Sequence, residues 1–153
     1  MKTKPVYEAV YNAFADIYDE VMRDVDYASW ARHIINLADR FEIQVDKILE
    51  LACGTGSLAI HLAQLDFAIT GIDRSEAMLH HAKEKSRQEG VSIPFHAASM
   101  QSFSSVSLDQ DFDLILCLYD SLNYLLNEED IHATFQEVTT HLRPGGAFIF
   151  DVT

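Results

Sequence analysis

The sequence is poor in cysteine, poor in cations and free of long apolar runs, and each shortage removes a class of protein. Only two cysteines occur in 153 residues, Cys53 and Cys117. Neither belongs to a CxxC or Cys/His ligand spacing, which excludes a disulfide framework and a zinc ribbon. Both are read as reduced thiols in apolar, strand-like surroundings. Eleven basic residues face 24 acidic ones, a formal charge of −13. Such a chain repels phosphate backbones and anionic lipid at long range, which disfavours nucleic acid as a partner. No stretch approaches the roughly 20 apolar residues of a membrane span. Between Met1 and Val10, Pro5 and Glu8 interrupt the apolar run that a secretory signal needs, so a cytoplasmic protein is expected. The seven histidines show no metal-ligand pairing, and His80-His81 fall on what reads as an exposed helix. There is no repeat or linker, and the serine-rich stretch from Ser102 to Ser107 reads as an ordinary surface loop.

What is present suits one globular domain over residues 1–153, since 48% of the chain is hydrophobic and 10% aromatic. From Tyr7, apolar residues recur at helical steps through Val10, Tyr11, Phe14, Tyr18, Val21 and Met22. A second helix follows on Trp30, Ile34, Leu37 and Phe41, so residues 1–45 are expected to be N-terminal helices. The core is expected over 46–153. Lys47 to Leu51 forms a short apolar run that feeds the turn Cys53-Gly54-Thr55-Gly56, and a helix follows on Leu58, Ile60, Leu62 and Leu65. Phe67 to Ile72 is a second strand, Ser75 caps a helix that Gly90 halts, and Ile93 to Ala97 is a third strand. The apolar run from Phe112 to Tyr119, broken only by Asp113, suits a fourth strand covered on both faces. Asn127 caps a helix whose expected core stripe is Ile131, Phe135, Val138 and Leu142; Arg143 to Gly146 stops it, and Ala147 to Val152 is a fifth strand. Strands alternating with helices predict βαβ units, a parallel sheet and the α/β class.

The chemistry concentrates at the first turn. Gly54-Thr55-Gly56-Ser57-Leu58-Ala59 fits GxGxxA between a strand and a helix, where backbone amides can approach a ligand unobstructed. That pattern alone also fits nicotinamide or flavin sites. Glu50 separates them: its carboxylate ends the first strand where a dinucleotide pyrophosphate would sit, and it repels phosphate while attracting an ammonium group. Asp73 closes the second strand 17 positions after Gly56, near the offset at which an acid meets ribose hydroxyls. The alternative role for Asp73 is to stabilise the N-terminus of the next helix, and the two are compatible.

With these residues in view, Ile48 to Gly56 resembles the first motif of the class I, Rossmann-like S-adenosylmethionine-dependent methyltransferases. Gly71 to Leu79 resembles the acidic second motif of that family, Phe112 to Cys117 its fourth strand, and Leu142 to Gly146 the turn before its fifth. Phe14 to Asp19 and Asp26 to Trp30 are similar to the leader of its small bacterial members. The resemblance implies a three-layer α/β/α fold with strand order 3-2-1-4-5. It also implies S-adenosyl-L-methionine as cofactor, S-adenosyl-L-homocysteine as product and a small-molecule acceptor. Glu50 would hold the methionine amine. The backbone of Ala52, Cys53, Gly54, Thr55 and Gly56 would line methionine and ribose, and Asp73 would clasp the ribose. Arg74 and Met78 come from the second motif, with Arg74 flanking adenine. Ser99 stands where relatives often carry an aspartate toward the adenine amino group, followed by Met100, and Ala52 replaces a more usual glycine. Cys117 and Leu118 are expected at the pocket rim. Tyr18, with Tyr11, is a candidate cover, although a tyrosine stripe also serves as core packing. Asp120 is the nearest candidate base, and Asn123 a candidate donor to substrate. Relatives continue through two further strands beyond the position matching Thr153. Strands 6 and 7 are therefore expected to be absent and Ala147 to Val152 to be an exposed edge that favours self-association. A cofactor-binding module without turnover and an NAD(P)-dependent oxidoreductase are the competing functions.

Overall fold

The computed structural model describes residues 6–108 and 111–153, with side chains from Val10 onward. Residues 1–5, half of the stretch from Met1 to Val10 read against a secretory leader, lie outside them, as does the Tyr7 side chain. Two helices, α1 (Val6–Val21) and α2 (Tyr27–Arg40), precede β1 (Lys47–Leu51). Then come α3 (Ser57–Gln64), β2 (Ala68–Asp73), α4 (Glu76–Gln88), β3 (Phe95–Ala97), β4 (Phe112–Cys117), α5 (Glu128–His141) and β5 (Leu142–Phe150). The five strands form one sheet in the order β3-β2-β1-β4-β5, and every neighbouring pair is parallel. This is the expected α/β topology. Among the described residues no helix is long and apolar enough to cross a membrane.

Alternation along the strands divides the core in two. Ile48, Leu114 and Leu116 face a cluster built with Ala31, Ile34 and Ala38 of α2, Leu58 and Leu62 of α3, and Leu79 and Ala82 of α4. Leu49, Leu51, Ile115 and Cys117 face the opposite cluster with Phe103, Leu122, Leu125 and Val138. Helices thus cover both faces, and every residue of β4 is buried, as its apolar run, broken only by Asp113, predicts. Local signals set the boundaries. Asp26, Ser75 and Asn127 each accept a hydrogen bond from a first-turn amide of α2, α4 and α5 respectively.

Four expectations need correction. Phe41 is 69% exposed because it caps α2 from outside the helix and leaves the stripe. On α5 the buried residues are Thr134, Val138 and His141, while Ile131 and Phe135 are exposed. Neighbouring columns of a helix satisfy the same three- and four-residue steps, and the chain is already extended at Leu142. β5 therefore begins at Leu142, and Arg143 to Gly146 form an irregularity between the Phe112↔Leu142 and Leu114↔Ala147 pairs. Finally, the serine-rich loop contains a 3₁₀ turn, Phe103–Ser105, whose Phe103 is completely buried and packs on the His141 ring at 4.7 Å.

Candidate functional site

β1 delivers its chain into a turn that only small residues accept. Ala52, Gly54 and Gly56 all take positive φ, at 52°, 55° and 74°. Gly56 then opens α3 with no side-chain cap, leaving first-turn amides of that helix without a side-chain partner from the cap position. The turn is tied to β2: the Cys53 amide donates to the Ile72 carbonyl (2.9 Å), and the Gly54 amide donates to Asp73 Oδ2 (2.8 Å). Asp73 Oδ1 accepts from the Ser75 amide (2.8 Å), so this carboxylate joins the turn to the N-terminus of α4.

The surrounding charge is negative. Glu50 is only 4% exposed, and its Oε2 is buried without a hydrogen-bond partner. Burial, and then the Asp73 carboxylate, push its carboxyl up to about 8, offset in part by the Ala59 amide. Burial also raises Asp73, against the opposing pull of the Ser75 and Gly54 amides and of Arg74. The Tyr18 phenol is pushed up to about 12 by burial and then by Asp73 and Glu50. Cys53 moves the same way, by burial and then Glu50. Carboxylates recur among the causes, so a cation placed among these groups would relieve several penalties at once.

These residues surround one cavity at the carboxyl ends of the strands, with roughly 1060 Å³ of empty space, part of it open to solvent. Tyr18, Glu50, Ala52, Cys53, Gly54, Thr55, Asp73, Arg74, Met78, Ser99, Met100 and Leu118 line it, as does Tyr11. Two expected residues do not. A Cβ on Gly56 would meet Phe95 Cζ at 3.0 Å and Ala82 Cβ at 3.1 Å, so this glycine serves the close approach of β3 and α4 beneath the turn. Cys117 belongs to the opposite core cluster, because adjacent strand residues point to opposite faces and Leu118 faces the cavity. Its thiol is pushed up to about 12 by burial, then by Asp151 and Glu50.

The candidate acceptor groups shift as well. Asp120 and Asn123 are not among the lining residues; Asn123 Nδ2 donates to Thr153 Oγ1 at 2.8 Å. Tyr27, Tyr119, Ser121, Tyr124 and Leu125 line the cavity unforeseen. Tyr119 has a buried hydroxyl with no partner and sits at φ 59°. Its ring packs edge-on against Tyr27 and Trp30. The Tyr11 and Tyr124 hydroxyls are hydrogen-bonded, joining α1 to the 3₁₀ turn Ser121–Tyr124. The tyrosine-rich face of the first helix and the tyrosines on either side of Asp120-Ser121-Leu122-Asn123 were the available signal. Their convergence depends on tertiary contacts. His81 is also less free than expected, meeting Asp16 of α1 at 2.9 Å. Among the described residues no cluster of His, Cys, Asp or Glu could hold a metal ion.

Comparison with known proteins agrees with this geometry. Residues 48–146 match the family described as methyltransferase domain. YqeM of Bacillus subtilis (strain 168) is 38% identical over 144 residues, 94% of this chain and 55% of that protein. A Streptomyces venezuelae dTDP-3-amino-3,4,6-trideoxy-alpha-D-glucopyranose N,N-dimethyltransferase is 29% identical, covering 90% of this chain and 56% of that one. The crystal structure of an S-adenosylmethionine-dependent methyltransferase from Clostridium acetobutylicum ATCC 824 superposes with a TM-score of 0.79 at 37% identity. It covers 94% of this chain and 57% of its own. The chain thus spans a little over half the length of these relatives.

Proposed function

The chain belongs to the class I S-adenosylmethionine-dependent methyltransferases, and on that premise we propose that its cavity binds S-adenosylmethionine and presents the methyl group to a small-molecule acceptor. The observation that carries the reading is the buried, unpartnered Oε2 of Glu50. An isolated buried carboxylate is costly unless paired, and the methionine ammonium is a partner of the right sign. A pyrophosphate at the same turn would meet repulsion, which weighs against a nicotinamide dinucleotide.

The other lining residues fit the same ligand. Each Asp73 oxygen already accepts one amide and retains a second lone pair, leaving two acceptors for the two ribose hydroxyls. The backbone from Ala52 to Thr55 approaches the methionine and ribose. Arg74, Met78, Ser99 and Met100 bound the adenine end, where Ser99 Oγ lies 3.0 Å from Ser102 Oγ. Tyr18 and Leu118 close the sides.

Bound S-adenosylmethionine supplies an activated methyl on a sulfonium, and transfer is an in-line displacement by the acceptor atom. The chain's share of the work is alignment and exclusion of water. The Tyr119 hydroxyl, buried and unpartnered, faces the same cavity and is the group we assign to acceptor contact. We read residues 1–153 as one unit working in the cytoplasm, where its two buried free thiols stay reduced. Nucleic acid is disfavoured by the charge of −13.

Calorimetric titration with S-adenosylhomocysteine, with NADH and 5′-methylthioadenosine in parallel, tests the cofactor reading. Saturable binding of the first, lost in Asp73→Ala, is expected. Methylthioadenosine lacks the amine, so it should bind more weakly to the natural chain and lose that handicap in Glu50→Gln. Preference for NADH would overturn the reading.

A further inference from the structure

Helix α1 supplies Tyr11 and Tyr18 to the cavity wall, yet little apolar burial holds it there. Among its described side chains only Ala15 is buried, whereas the shorter α2 buries three. Val10, Ile17 and Val21 on its other side are all more than half exposed. Polar rungs along α4 take the place of a core. Ser75 Oγ donates to Asn12 Oδ1 (2.6 Å), His81 meets Asp16 (2.9 Å), and Lys85 Nζ donates to Asp19 Oδ2 (2.6 Å).

The last rung differs from the other two. Lys85 also donates to Thr55 Oγ1 (3.1 Å) and to Ser57 Oγ (2.8 Å), while Thr55 Oγ1 donates to Asp19 Oδ1 (2.5 Å). The three protons of one ammonium thus meet three acceptors, drawn from α1, from the glycine turn and from the start of α3. Thr55 is buried, and both Thr55 and Ser57 line the cavity. Asp19 follows directly on Tyr18, whose Cε1 would lie 3.9 Å from a Cβ on Gly54. Lys85 itself does not line the cavity.

We infer that Lys85 is a positioning residue for this cavity: through Asp19, Thr55 and Ser57 it holds α1, and with it Tyr18, closed over the glycine turn. The inference rests on the cofactor reading above for its consequence, but the pinning of α1 can be tested without any ligand. If closure is required for binding, the apparent Kd rises in inverse proportion to the closed fraction. A chain whose α1 is closed only a tenth of the time should bind about tenfold more weakly, with no ligand contact removed. An arginine keeps the charge but not the compact three-way donor geometry, so it should restore part of the effect.

The experiment compares the natural chain with Lys85→Met, Lys85→Arg, Asp19→Asn and the double variant Asp19→Asn/Lys85→Met. It uses hydrogen exchange of backbone amides and calorimetric titration with S-adenosylhomocysteine. Expected for Lys85→Met are faster exchange confined to α1, unchanged protection in β1 and β4, and about tenfold weaker binding. Lys85→Arg should fall between, and the double variant should be no worse than the worse single one. Natural α1 protection and affinity in Lys85→Met would overturn the inference, as would protection lost evenly across the sheet. If Lys85→Met does not fold, the natural chain decides. Raising sodium chloride from about 20 to 500 mM should speed exchange in α1 selectively, and no salt effect there overturns the pin. Should the natural chain bind no S-adenosylhomocysteine, the cofactor reading fails, while exchange in α1 still decides the role of Lys85.

Discussion

Glu50 makes the site's chemistry measurable in the stability of the empty chain. Its carboxyl protonates at about 8 in the folded chain against an ordinary 4.5, so the folded state keeps a proton that the unfolded state releases between those values. Stability is therefore full below about 4.5 and declines as pH rises through about 8, by an amount on the order of 3–5 kcal/mol from this residue. Asp73, also raised, adds to the same slope. Urea unfolding at pH 5 and pH 8 should show the natural chain weaker at the higher pH. Glu50→Gln, neutral at both, should be more stable than the natural chain at pH 8 and show a shallower slope. An unchanged slope in that variant would remove Glu50 as its source. The position of this acid was legible in the sequence, since a glutamate ending an apolar strand before a glycine turn has few structural uses. Its protonation was not, because that depends on burial and on Asp73 arriving from β2. The same distinction explains Cys117 and Gly56: motif matching brought them near the ligand, while strand alternation and the packing of Phe95 decide which way they face.

Among elements, the strands meet at both ends through particular side chains, and these junctions separate stability from binding. At the amino ends, Asp113 Oδ2 accepts from the Asp46 and Lys47 amides at 2.7 Å each, Asp113 Oδ1 pairs with Arg143, and Arg143 donates to the Gln44 carbonyl at 2.7 Å. Burial alone would raise this carboxyl, but the Lys47 amide, Arg143 and the Asp46 amide outweigh it and hold it below 3.8. Its contribution is present above that value and lost as pH falls below it. Asp113→Ala should cost about 3 kcal/mol in urea unfolding near neutral pH, by leaving two amides and a guanidinium unpartnered. Affinity for S-adenosylhomocysteine should stay the same, because the cavity lies at the opposite strand ends. Gly71 tests packing beneath the turn: a Cβ there would lie 2.7 Å from Phe95 Cδ1 and 2.9 Å from Cys53 Sγ. Gly71→Ala should destabilise by about 2 kcal/mol, and adding Phe95→Leu should return part of the loss. If Gly71→Ala unfolds like the natural chain, this contact is softer than the geometry implies. β1 was legible to the residue because its apolar run is short and bounded, and the caps Ser75 and Asn127 were legible because each precedes an amphipathic run; the third side-chain cap, Asp26 on α2, is a finding of the structure. The stripe of α5 and the start of β5 were not, since burial of polar residues such as Thr134 and His141 comes from tertiary packing, as where Phe103 packs on the His141 ring.

At the scale of the whole molecule, a charge of −13 acts on the ligand before any contact forms. S-adenosylmethionine carries a net positive charge through its sulfonium, while S-adenosylhomocysteine is neutral overall and otherwise nearly identical in shape. The long-range field therefore favours the substrate over the product. Only that part of the preference should be screened by salt, because contacts inside the cavity lie within a Debye length. Between about 20 and 300 mM sodium chloride, affinity for S-adenosylmethionine should fall by about three- to tenfold, with S-adenosylhomocysteine changing far less. Calorimetric titration of both ligands across that range measures the difference directly. Parallel salt curves for the two ligands would mean that the surplus of acidic residues acts on solubility and partner exclusion alone. Divergent curves would mean that the molecule's overall charge helps to exchange spent cofactor for fresh, a bias that depends on the distribution of all 24 acidic residues and on no single one of them.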